Sequence, residues 1–122
     1  MRPASPPLEP TLTVIFYRSS SGKEPVREWL KALVKDDRRI IGEDIKTVQF
    51  SYPVGMPLVR KLEPELWEVR SHLLDGIART LFTVQNDTMV LLHAFVKKSQ
   101  KAPATDLALA RKRLKAFKED TA

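Results

Sequence analysis

The chain has 122 residues, a length that suits one domain built around one core. Hydrophobic residues make up 43% of it, which argues against whole-chain disorder, and the absence of cysteine excludes disulfides and thiolate metal sites. A net charge of +6 suits polyanionic partners such as nucleic acid, ribosomes or acidic proteins, although many small proteins are basic with no such partner.

Four of the nine prolines fall within Met1 to Pro10. That density predicts a loose N-terminal extension over residues 1–11, ahead of a single domain over 12–119. The same stretch has no apolar signal-peptide region, and no run in the chain reaches membrane-spanning length. A cytoplasmic protein with no membrane partner is the expectation. Thr11 to Tyr17 is β-branched and aromatic and reads as a strand. Ser21 and Glu24 have capping-box spacing with Pro25 in the first turn, so a helix is expected to follow to about Val34 on Val26, Trp29, Leu30 and Leu33. Asp36 or Asp37 can cap a second helix with a stripe of Ile40, Ile41, Ile45 and Val48, closed by Tyr52, Pro53 and Gly55.

The second half reads as hairpin-linked strands. Leu58 to Leu62 is a short basic strand, and Glu63 to Glu65 a turn. Leu66 to Ser71 alternates, with Trp67 and Val69 on one face and Glu68 and Arg70 on the other. Leu74 to Gly76 turns into the strand Ile77 to Val84, and Asn86 with Asp87 makes a tight hairpin. Met89 to Lys97 is apolar enough for a central strand covered on both sides. After a polar loop, a last helix over about Asp106 to Phe117 carries Leu107, Ala110, Leu114 and Phe117 as its buried stripe. The order predicts an α+β domain: a mainly antiparallel sheet with two N-terminal helices and one C-terminal helix packed on it.

No phosphate-binding loop, dinucleotide motif, zinc-protease motif or nucleophile elbow is present, so neither a metal nor a cofactor is expected. Basic groups at strand positions remain: Lys61, Arg70, Arg79, Lys97 and Lys98. Neighbouring strands lie about 5 Å apart, so these side chains can converge on one concave face that binds phosphates and stabilises charge on a phosphate under attack. RNA needs no metal for cleavage, because its own 2′-hydroxyl can attack the adjacent phosphate once oriented and deprotonated. Arg79 reads equally as a phosphate ligand, a solvated sheet arginine or the partner of Glu68. Glu68 reads as a proton acceptor or as half of a cross-strand pair on a wet face. Lys101, with Lys97 and Lys98, lies in or beside a charged loop, and Arg111 and Arg113 belong to a basic cluster on the last helix that can grip RNA or an acidic partner. His93 lies inside an apolar strand, where a hydrogen-bonded core residue is the ordinary reading. His72 stands beside a turn and is open to either role. Trp29 and Trp67 read as core.

Leu66-Trp67-Glu68-Val69-Arg70, Ala78-Arg79-Thr80-Leu81-Phe82 and above all the run His93 to Pro103 are similar to the phage-derived Gp49-like branch of HigB toxins, within the RelE/ParE superfamily. The resemblance extends from about Thr13 to Phe117. It implies a toxin that cleaves mRNA on the ribosome, without a metal and with a 2′,3′-cyclic phosphate product, held in check by a cognate helix-turn-helix antitoxin. By position, Arg79 resembles the family's sheet arginine on the scissile phosphate and Arg70 falls where RelE has its second catalytic lysine. Lys98 lies near the basic residue that assists the leaving group, and Lys61 in the strand that approaches the RNA backbone. Glu68 stands where RelE has its first lysine, and the C-terminal segment has no tyrosine, so the general base is open between Glu68, His93 and His72. ParE members of the same superfamily bind DNA gyrase and cleave nothing, which keeps a protein-binding toxin as the alternative.

Overall fold

A computed structural model describes residues 9–97 and 104–121. Eight elements follow in order: β1 (Thr13–Phe16), α1 (Pro25–Ala32), α2 (Lys35–Ser51), β2 (Val59–Glu63), β3 (Leu66–Leu73), β4 (Gly76–Gln85), β5 (Thr88–Lys97) and α3 (Ala104–Asp120). The strands form one sheet in the order β1-β5-β4-β3-β2. Strands β2 to β5 are a meander of antiparallel neighbours, and β1 joins β5 in parallel. The α+β class and the placing of two helices before the meander and one after it are as the sequence predicts.

Local chemistry explains most of the boundaries. Pro25 opens α1, where its missing N–H costs nothing. The expected capping box does not form. Glu24 is the N-cap residue, and the Ser21 hydroxyl lies 2.9 Å from that of Ser19 in a turn made possible by Gly22 at φ +85°. Asp36 and Asp37 fall within the first turn of α2 rather than capping it, where carboxylates meet the positive end of the helix dipole. Asn86 and Asp87 both adopt positive φ, the conformation a two-residue hairpin needs between right-twisted strands. The expected extension lies outside the described residues over 1–8. At its far end the chain is already docked: the Thr11 hydroxyl donates to the Phe50 carbonyl and the Leu12 N–H to that of Gln49.

Both faces of the sheet are covered. On one, Val26 of α1 and Ile41, Ile45 and Val48 of α2 bury against Val59, Val69, Ala78, Phe82, Met89, Leu91 and Ala94. On the other, Ala110 with Leu107, Leu114 and Phe117 of α3 covers Leu66, Leu81, Val90 and Leu92. Consecutive residues of β5 thus serve both cores, as its near-continuous apolar sequence predicts. The β4–β5 register shifts between Leu81 and Phe82, and this bulge sets Leu92 and His93 together beside Leu81.

Candidate active site

Strand register decides which polar side chains can meet. Arg70 of β3 stands directly opposite Arg79 of β4, so both point to the α3 face. Glu68 precedes Arg70 by two residues and shares that face. Arg79 Nη1 donates to both Glu68 carboxylate oxygens, at 3.0 and 3.3 Å, and Arg70 Nε lies 3.9 Å from Oε1. Glu68 and Arg79 are fully buried, while the Arg70 side chain keeps 12% of its surface in solvent. Two opposed guanidinium groups repel each other, and the carboxylate beside them offsets that repulsion, leaving one net positive charge on the trio. The face expected to be wet at Glu68 is enclosed, because its register partner Leu81 already belongs to the core beneath α3.

The other strand-borne cations divide. Lys97 pairs in register with Ile77, two residues before Arg79, and so joins the arginine face in a partly exposed position. Lys61 pairs with Trp67 and points to the opposite face, its Nζ 5.9 Å from the centre of the indole. Lys98 and Lys101 lie outside the described residues.

His93 is held by α3. Its Nε2 is 2.6 Å from Asp106 Oδ1, and its Nδ1 is 3.4 Å from Arg113 Nη1. Arg113 also donates to the Leu92 carbonyl at 2.8 Å and lies over the Tyr17 ring. Burial lowers its pKa, against a smaller opposing pull from Tyr17. Arg111 is engaged elsewhere, making two 2.7 Å bonds to the Glu63 carboxylate. Those hydrogen bonds hold the Glu63 carboxyl below its usual range and raise Arg111. Both α3 arginines therefore fasten the helix to the sheet, and neither lies in the Arg70–Arg79 trio.

A cleft of about 280 Å³ opens beside the trio, lined by Arg70 and His72 of β3, Ile40 and Asp44 of α2, and Pro57 and Leu58. It exists because the β2–β3 ladder runs only to Val59 opposite Val69, which leaves the last residues of β3 without a strand on that side. Asp44 is the site residue that sequence reasoning missed. Its only signal is position: it lies four residues after Ile40 and hence on the same side of α2. Among the described residues no group of three or more His, Asp or Glu side chains is arranged to hold a metal, and no helix is long and apolar enough to cross a membrane.

A small α+β sheet protein carrying a buried arginine–carboxylate trio at the edge of an open cleft is the class these features define. The family model for Phage derived protein Gp49-like (DUF891) matches residues 28–115, a span that includes α2, the whole meander and the trio. The chain belongs to this family, a RelE/ParE-like toxin family. Membership points to a toxin of the RelE type from a toxin–antitoxin pair, and with it to an antitoxin partner. A search of curated proteins found no match to the chain.

Proposed function

We propose that the protein is a metal-independent, ribosome-dependent endoribonuclease that cleaves mRNA and is silenced by a helix-turn-helix antitoxin. The observation that carries this reading is the pairing of Arg70 and Arg79 on one face of adjacent strands with Glu68 between them. Arg70, the more accessible of the two, meets the scissile phosphate. Arg79 adds its charge from beneath and, through Glu68, fixes where Arg70 points. Lys97 stands at the end of β5 on the same face, toward the leaving group, and Lys98, the next residue in the sequence, is proposed to assist it. Attack by the 2′-oxygen forms a new bond to phosphorus as the bond to the 5′-oxygen breaks, giving a 2′,3′-cyclic phosphate and a 5′-hydroxyl. Negative charge gathers on the phosphate oxygens during that exchange, and preorganised cations in a site shielded from water stabilise it far more than they would in bulk solvent.

Primer extension on mRNA from cells expressing the protein, with and without active ribosomes, tests the reading. The wild-type chain is expected to produce discrete cuts in translated message, and Arg70→Ala to abolish them along with growth arrest while still binding antitoxin. Persistence of both cutting and toxicity in Arg70→Ala would sink the nuclease. The enclosure of Arg79 with Glu68 favours a second reading, in which the trio is a packing device and the toxin acts by binding a protein such as DNA gyrase. That reading predicts induced DNA-damage signalling over intact mRNA.

A further inference from the structure

The chain has two histidines, and the fold treats them differently. His93 faces the Asp106 carboxylate through Nε2 and the Arg113 guanidinium near Nδ1, so both ring nitrogens already have a charged neighbour within the fold. His72 is exposed on β3. It follows Arg70 by two residues on the same face, about 7 Å along the strand, and both residues line the cleft at the open edge. The opposite wall carries Asp44, and the rest is apolar: Ile40, Pro57 and Leu58. The cross-strand partner of His72 is Ile77, and the charged residues that line the cleft with it are Asp44 of α2 and Arg70 on its own strand. At about 280 Å³ the cleft lies near the lower end of small-ligand pockets, a size for one nucleotide rather than a duplex.

We propose that this cleft takes the ribonucleotide on the 5′ side of the scissile phosphate and that His72 accepts the proton of its 2′-hydroxyl. The inference rests on the nuclease reading above. Glu68, the sequence's first candidate for the proton acceptor, has both carboxylate oxygens engaged by Arg79 in a fully buried pair. His72 has the access that Glu68 lacks. In the step, the 2′-hydroxyl proton passes to the imidazole, the 2′-oxygen bonds to phosphorus on Arg70, and the 5′-oxygen departs with its bonding pair and takes a proton from water. Asp44, on the α2 side of the same cleft, adds a negative charge that favours the imidazolium as it forms.

Single-turnover cleavage of a short mRNA bound to ribosomes, followed across a pH series with the full-length chain, tests this. His72→Ala and His72→Gln are each expected to slow cleavage on the order of 100-fold or more and to abolish the rise of rate with pH that a proton-accepting imidazole imposes. Because His72 is exposed, both variants should keep the wild-type circular dichroism and antitoxin binding. Cleavage within a few-fold of wild type in both, beside an inactive Arg70→Ala, would overturn the role of His72 and leave the nuclease standing. A pH limb that survives in His72→Gln and vanishes in His93→Gln would overturn it too. If the wild-type chain cuts no message, or Arg70→Ala cuts as well as wild type, the nuclease reading fails and takes this inference with it.

Discussion

The two faces of the sheet are packed on different terms. Under α1 and α2 the sheet contributes an apolar surface from Val59 through Phe82 to Ala94. Under α3 the apolar surface stops at Leu66 and Leu81, and a buried carboxylate and guanidinium continue it. The first face needs only shape and volume to hold. The second needs each charge answered, because a buried ion is tolerable only with its partner in place. A closed sheet face is therefore not always an oily one, and the charged half is where a reaction that builds negative charge has something to meet.

Replacing side chains on each face separates the two kinds of packing. The largest loss is expected at Phe82, which is fully buried and stacks on Trp67 with ring centres 6.0 Å apart. Phe82→Ala should cost about 3–5 kcal/mol in denaturant unfolding, as a deleted core aromatic does. No second substitution nearby should restore it without refilling the volume. Glu68→Ala should cost about as much, about 3–5 kcal/mol, for a different reason: it removes the carboxylate that Arg79 donates to. Here a partner substitution should help. The double variant Glu68→Leu with Arg79→Met is expected to recover much of the stability while remaining non-toxic. A double variant as unstable as Glu68→Ala alone would mean that the trio is not the ionic unit its geometry describes.

The same contrast explains what was legible in the sequence. Apolar periodicity reports directly on burial, so the α3 stripe, the two-sided strand β5 and Ile41, Ile45 and Val48 of α2 are readable from it, whereas Ile40, expected in the same stripe, is only partly buried and lines the cleft. Alternation along β3 correctly sets Glu68 and Arg70 on the face opposite Trp67 and Val69, and it places Arg70 and Arg79 on one side once the hairpin turn fixes the register. It carries no information on what covers that face, and so Glu68 reads as wet when it is enclosed. Lys61 was expected among the converging cations because it is basic and on a strand. Its position opposite Trp67 turns it to the other side, and that parity depends on where the β2–β3 turn closes, including a bulge between Lys61 and Glu63. The capping box failed on a similar point: Ser21 and Glu24 have the spacing, but Gly22 turns the backbone and the helix starts later, at Pro25. Asp44 and the cleft depend on where β2 ends, a boundary that no periodicity marks.

The smallest expected effect lies at the far end of the α3 face, where Arg111 holds Glu63. Both residues are partly in water, 55% and 29% exposed, so screening leaves the pair only a small contribution despite its two-pronged geometry. Its pH signature still identifies it. The hydrogen bonds from Arg111 keep the folded-state pKa of Glu63 below the ordinary 4.5. The stabilisation is therefore present above that ordinary value and is lost as pH falls through the lower folded-state pKa, below which the carboxyl is protonated in both states. Arg111→Ala should unfold slightly more easily than wild type near neutral pH, and the two unfolding curves should converge on acidification and in 1 M salt. Arg111 also lines a groove with Leu114, where a long arginine stem can cover apolar surface. A deficit that persisted undiminished at low pH and high salt would assign the contribution of Arg111 to that stem, and the α3 face would then be held at this end by packing of the same kind as the α1–α2 face.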